Sequence, residues 1–374
     1  MAKKRFLFNI PLLIVTATLL TGCARLSSPE INEKLPEVPY WFNSPSQGNN
    51  IGVIGIARDL DVGNGNPVQF SRYRALLGTQ KYLNKPLAIE RQDIDINENS
   101  YNISNNIITF SNEFRMGGYV YSYAAINHQA SEQQGAIAQC DFSKCNPAWL
   151  CDPGADKIGK NANASLLGTS YRSVTLPAQY KAAINNALQQ LEPIYGLSVN
   201  SHDLLYNNNS SVGNVRILLS NSNLKINKEV DNIKLRYLVE NSCRQGEQLF
   251  LRVNFPDLPA LSDIPAKKWL NEPSSGGYKG AIGSVQGRVA SGLLSDKIKL
   301  AIKRGLIELA KAKNTRVNEE LLTIRHTENI YQVSFINQNT DITLYAKVNG
   351  IYFNEGPKGT EVYAWLVETN SEYY

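Results

Sequence analysis

Three histidines in 374 residues, His128, His202 and His326, leave little material for imidazole chemistry. They are scattered, so neither a Ser-His-Asp triad nor a histidine-rich metal site has an evident frame. The nucleophile pattern Gly-x-Ser-x-Gly is absent, and no Gly-Lys-Ser/Thr or Gly-x-Gly-x-x-Gly offers a phosphate cradle. Carboxylate pairs such as Glu319-Glu320 read as solvated charges. The chain therefore reads as non-enzymatic, with no cofactor and no metal. Asp59-Leu-Asp61-Val-Gly63 hints at calcium, but Gly63 and Phe70 stand where an EF-hand loop needs an oxygen ligand and a Glu. Gly280, Gly283 and Gly287 are too far from the helix expected after them to hold a phosphate. They read instead as glycines of a strand exit or of close packing under a Trp.

Cysteine is also sparse, and its placement is informative. One of the five, Cys23, ends a segment with a basic start (Lys3, Lys4, Arg5), an apolar stretch over residues 6–20, and Leu20-Thr21-Gly22-Cys23. That layout is a secretory signal too short to span a bilayer. Removing it leaves 38 − 3 = 35 basic against 33 acidic residues, a net of +2, so bulk charge points to no partner. The other four, Cys140, Cys145, Cys151 and Cys243, lack metal-ligand spacing. In an oxidising compartment an even number predicts two disulfides, with three connectivities open.

What the chain does have is an internal echo. Residues 41–57 match residues 269–285 without a gap at Trp41/Trp269, Asn43/Asn271, Pro45/Pro273, Ser46/Ser274, Gly48/Gly276, Gly52/Gly280, Ile54/Ile282 and Gly55/Gly283. Self-similarity of this kind decides the architecture. A weaker copy opens at Pro147-Ala-Trp149 and continues to Leu166-Leu167-Gly168. Each opening leads to an apolar strand, a helix and several further strands. The helices are expected over residues 68–84, around 175–191 with Thr175 as N-cap, and 295–312. They overlay through the pairs Ala75/Leu83, Ala183/Leu191 and Ala301/Leu309. Each copy is expected to close with an alternating strand, at 136–140, 249–255 and 362–367. The expectation is an α+β fold: three tandem small domains, each a mostly antiparallel sheet with one main helix packed on it. The divisions are 1–22 signal peptide, 23–38 tether, and repeats over 39–143, 144–258 and 263–374. The three Trp read as core plugs.

Two resemblances add to this. Leu20-Thr21-Gly22-Cys23 resembles the lipobox of bacterial lipoproteins, which implies lipidation of Cys23 and cleavage before it. Ala24 is not the Asp associated with inner-membrane retention, so the outer membrane is implied, with the chain on its periplasmic face or, if displayed, at the surface. Pro39-Tyr-Trp41, Gly52-Val-Ile-Gly55-Ile-Ala57 and Ala281-Ile-Gly283-Ser284 resemble the twenty-kilodalton membrane-associated bacterial lipoproteins (the Lpp-twenty type). That family implies a non-enzymatic role in the envelope, as a structural or assembly component working through protein partners or self-association, such as an outer-membrane accessory of the flagellum. The competing expectation comes from charge. Residues 267–316 carry eleven Lys or Arg against three acids. Lys297, Lys299, Lys303, Arg304 and Lys311 ride on the third helix, and could draw anionic cell-wall polymer or glycolipid. Nucleic acid is not an expected partner.

Overall fold

Short alternating strands need a cover for their apolar face, and in this chain helices supply it three times over. A computed structural model describes residues 36–370, apart from 47–49, 61–64, 87–88, 130–132, 155–162, 211–212, 230–233, 260–263, 265, 314–315 and 327–328. The signal segment, Cys23 and all of the expected tether up to residue 35 lie outside the described residues, as does part of the loop weighed for calcium.

The first repeat begins with β1 (Glu37–Pro39) and a one-turn helix α1 (Tyr40–Asn43) that carries Trp41. Then come β2 (Ile51–Arg58), helix α2 (Pro67–Leu83), β3 (Ser100–Ile103), β4 (Asn106–Phe110), β5 (Phe114–Met116), β6 (Tyr119–Ile126) and β7 (Gln134–Ala136). Asn66 caps α2 by accepting from the Val68 N–H at 2.9 Å, and Asn84 ends it in a left-handed conformation. The sheet order is β2-β6-β4-β3, antiparallel throughout.

The second repeat contributes β8 (Asn163–Ser170), α3 (Leu176–Gln189), β9 (Leu197–Ser210), β10 (Gly213–Ile226), β11 (Leu238–Gln245) and β12 (Gln248–Pro259). Thr175 caps α3 as its sequence predicts, accepting from the Ala178 N–H at 3.3 Å. The third contributes α4 (Ala266–Asn271), β13 (Gly280–Val285), α5 (Leu294–Lys313), β14 (Arg316–His326), β15 (Asn329–Leu344), β16 (Ala346–Gly356) and β17 (Gly359–Glu368). Its sheet is β13-β17-β16 and the second repeat's is β11-β12-β8, and residues of both share one core cluster. The α+β reading holds: all these ladders are antiparallel and each is covered by one helix.

Strand and helix approach so closely because the first strand of each repeat has no side chain at the crossing. A Cβ on Gly55 would lie 1.8 Å from the Ser71 carbonyl oxygen; on Gly168, 2.2 Å from that of Ala183; on Gly283, 1.9 Å from that of Ala301. One turn on, the same glycines face Ala75, Ala187 and Gly305. The sequence overlay of the helices is corrected here. Ser71, Ala183 and Ala301 are equivalent, so the first helix had been placed one turn out of step. Residues four apart share a helix face, and small residues recur on that face, so sequence alone does not separate the two registers.

The closing strands are also partly corrected. The closing strands expected at 249–255 and 362–367 form and pair with the opening strands of their repeats, β12 with β8 and β17 with β13, but in the first repeat β2 pairs with β6. Residues 137–140 leave that sheet and run alongside β11. There Arg244 N–H donates to the Ala138 carbonyl (3.2 Å) and Cys140 N–H to that of Arg244 (2.8 Å). The disulfides are Cys140–Cys243, which fastens this crossing, and Cys145–Cys151, which closes a short loop.

A fourth sheet was not foreseen. The hairpin β9–β10 of the second repeat and the hairpin β14–β15 of the third join in the order β10-β9-β15-β14. The sequence predicts only short apolar runs at 212–219, 321–325 and 330–336. The strands extend well beyond them because Asn- and Ser-rich flanks, with little intrinsic β preference, are carried by ladder hydrogen bonds to a neighbour.

Candidate assembly surface

The repeated motif is a latch. Trp41 lies stacked on Tyr123 of β6, with centroids 5.3 Å apart and planes 9° apart. Trp269 lies stacked on Trp365 of β17, at 5.7 Å and 10°. Tyr123 faces Ile54 across its ladder and Trp365 faces Ile282, the echoed position, so the two aromatics are equivalent. Each reaches the echoed proline: Tyr123 Oη donates to the Pro45 carbonyl at 2.9 Å and Trp365 Nε1 to that of Pro273 at 2.7 Å. Burial pushes the Tyr123 phenol above its ordinary value, so it stays protonated and able to donate. Gly52 and Gly280 leave the space, since a Cβ there would lie 2.2 Å and 2.6 Å from the Tyr123 and Trp365 rings. The plug reading of Trp41 and Trp269 fits this geometry, with the hydrogen bond supplied by the facing strand.

Trp149 departs from the pattern. It sits in a single 3-10 turn (Ala148–Leu150) inside the Cys145–Cys151 loop, half-buried beside Cys151. In the second repeat the latch position, opposite Leu167, is Arg252. Its Nε lies 3.3 Å from Glu240 Oε2, which also accepts from Ser165 Oγ at 3.3 Å. A polar cluster thus replaces the aromatic stack. Beside it the first repeat docks: Asn241 Nδ2 donates to Ser44 Oγ (2.9 Å), and Ser242 Oγ donates to the Phe42 carbonyl (3.1 Å). Replacing Trp365 by Phe keeps the stack and removes the donor. We expect this to cost about 1–2 kcal/mol by urea unfolding, because the Pro273 carbonyl loses a buried partner. Trp365→Tyr, the residue type used in the first repeat, should recover part of it; equal losses would mean the hydrogen bond contributes nothing.

The basic helix divides. Lys297 is buried, its Nζ donating to the Thr360 carbonyl at 2.6 Å. Lys311 bridges α5 to β9 through Asp203, at 2.5 Å. Arg304 Nη1 donates to the Ser284 carbonyl at 2.6 Å while remaining exposed. Lys299 and Lys303 line a cavity of about 250 Å³ between α3, α5 and β10, with Ile298, Ile302, Leu224 and Glu192. The five cations therefore form no single patch. The sequence reads them along one helix, whereas the helix packs on two sides and engages Lys297, Arg304 and Lys311 in structure. Among the described residues no group of three or more His, Cys, Asp or Glu is placed to hold a metal.

What stands open is the four-stranded sheet. Among the described residues no strand pairs with the outer side of β10 or of β14, and an uncovered strand edge is a template for another strand. On β10, Ile217, Leu218 and Leu219 are 46%, 64% and 60% exposed. Apolar residues of this kind are ordinary singly, but three in a row on an open edge strand are not. The sequence signal was there, since residues 212–219 read as a strand. What was missing was β9 beside it. Comparison with family models, with curated proteins and with solved structures finds no match.

Proposed function

We propose that this chain is an outer-membrane lipoprotein held through acylated Cys23 that acts as a structural component of the bacterial envelope, assembling with protein partners or with further copies of itself. The observation that carries this reading is the sheet β10-β9-β15-β14, whose two outer edges no strand among the described residues covers, while the three repeat sheets keep their helices. The lipobox, the latch repeat and the motifs shared with the Lpp-twenty type support the same reading, flagellar accessory roles included. Binding of anionic cell-wall polymer or glycolipid is the second reading, and Lys299 and Lys303 at the cavity favour it locally.

Two measurements test this. Cys23→Ser should move the protein from the membrane fraction to the soluble fraction, because acyl chains worth about 0.8 kcal/mol per buried CH₂ are lost. Retention on membranes would remove the lipoprotein reading. Crosslinking in intact cells should trap protein partners or like copies that survive a salt titration of the purified complex. Steep loss with salt, together with salt-sensitive retention on cell wall, would favour the polymer.

A further inference from the structure

We propose that the two hairpins β9–β10 and β14–β15 cross a lipid bilayer, and that like copies join edge to edge to close a transmembrane barrel, each giving four strands. The proposal rests on the envelope reading above and names the surroundings of that same sheet as acyl chains on one face and water on the other.

Alternation is the first argument. Along β10 the positions in phase with Ile217 are Val215, Ile217 and Leu219; the opposite phase holds Asn214, Arg216, Leu218 and Ser220. On β9 the residues paired with Leu219 and Ile217 are Leu204 and Tyr206, whereas Asp203 and Asn207 fall in the other phase. The register carries this phase across to Phe335 and Val333 of β15, and then to Leu322 and Ile324 of β14. Ser334, Gln332 and Thr323 lie out of phase. The in-phase set is mostly apolar, with Asn208 between Val215 and Val333, and the other phase is mostly polar apart from Leu321 and the row Leu218, Leu205 and Ile336. A mostly apolar face opposite a mostly polar one is the pattern of a strand between lipid and an aqueous lumen. Nearer the body the in-phase positions turn polar, with Asn221, His202 and Asn339 in one row.

The second argument is geometric. The apolar in-phase stretch centres on residue 217 in β10 and on residue 323 in β14, which is paired with Gln332 and so lies three rows further toward the hairpin tips. Three rows are about 10 Å along the strands and three strand spacings about 14 Å across them. A horizontal apolar belt then requires strands inclined by about 35°, within the tilt of membrane barrels. The apolar in-phase stretch from Val215 to Leu219 covers about 14 Å along β10, shorter than the roughly 25 Å band of such barrels, and outer membranes are thinner than average. Glu320, in phase but body-side of Leu322, falls below the belt once it is inclined.

The third argument is closure. Within the sheet every neighbour is antiparallel, so β10 and β14, the outer strands of a four-stranded sheet, run in opposite directions. The β14 of one copy can therefore pair antiparallel with the β10 of the next, and repetition leaves no edge. A lipid anchor at Cys23 would hold the copies at the surface they enter. No helix among the described residues is long and apolar enough to cross a membrane.

The test uses the full-length lipidated chain in vesicles of phosphatidylethanolamine and phosphatidylglycerol, with and without brominated acyl chains. Ile217→Trp and Leu219→Trp should gain fluorescence that brominated lipid quenches at least two-fold. Leu218→Trp and Arg216→Trp, on exposed neighbouring positions of the other phase, should gain fluorescence that brominated lipid leaves nearly unchanged. Entrapped dye should leak with the unsubstituted chain and not with an Ile217→Asp/Leu219→Asp variant that retains its circular dichroism. Equal quenching at all four positions, none at any, or an equally leaky double variant would overturn the proposal. If like copies crosslink but no site is quenched, the assembly reading survives and the bilayer crossing does not.

Discussion

Gly283→Ala is expected to destabilise the protein by at least about 3 kcal/mol, beyond the usual range for overpacking, because the added methyl meets backbone. Its Cβ would lie 1.9 Å from the Ala301 carbonyl oxygen and 2.2 Å from the Gly305 nitrogen. A helix backbone cannot rotate out of the way as a side chain can. To restore van der Waals distance, α5 must lift from β13 by more than an ångström, which opens the core formed by Ala281, Ile298, Ala301, Ile302 and Leu366. Gly55 and Gly168 make the same approach to α2 and α3, so Ala there should act in the same direction. Gly135→Ala is the control: no atom lies within 4 Å of its Cβ position, and a change within about 0.5 kcal/mol is expected. Urea unfolding followed by circular dichroism measures all four. A Gly283→Ala protein as stable as Gly135→Ala would mean that helix and strand are not in contact there.

Loss of Cys140–Cys243 is the second large effect. The bridge spans 103 residues, and in the chain-entropy account closing such a loop restricts the unfolded chain by about 4.7 kcal/mol. Cys145–Cys151 spans 6 residues, for which the same account gives about 2 kcal/mol. The double variant Cys140→Ser/Cys243→Ser should therefore melt roughly 6 °C lower, about twice the shift of Cys145→Ser/Cys151→Ser. Strand geometry adds to the difference. The long bridge holds residues 138–140 against β11, and Cys140 and Cys243 are buried in the largest cluster, with Phe142 and Phe250. Equal shifts for the two variants, measured calorimetrically under non-reducing conditions, would refute this ordering.

The short motifs were legible because they are local or nearly so. A capping Thr, a Pro in the first helical turn and a 3.6 spacing define α3 before any contact is known. The echo between residues 41–57 and 269–285 marks the latch because Trp, Pro and Gly each meet a steric demand that few residues satisfy. The plug reading followed from the residue types; the glycines read as lying under that Trp instead face Tyr123 and Trp365 at Gly52 and Gly280 and the α5 backbone at Gly283. Arg252 was not legible as the counterpart of Tyr123 and Trp365. Its place follows only from the ladder that pairs it with Leu167, and nothing in the local sequence reports that pairing.

By itself, then, the sequence determined the class of fold, the repeating order of strand and helix, and the pairing of aromatic and glycine in the first and third repeats. Those rest on periodicity and on side-chain shape, which the chain carries locally. Tertiary structure alone decided which cysteines meet, which of the helix cations are engaged, and that hairpins from different repeats form one sheet. Each of these depends on contacts between residues far apart in the chain. For β9 and β15 the partner is nearly as polar as the strand it pairs with, so no apolar pattern announces the join and backbone hydrogen bonding supplies it.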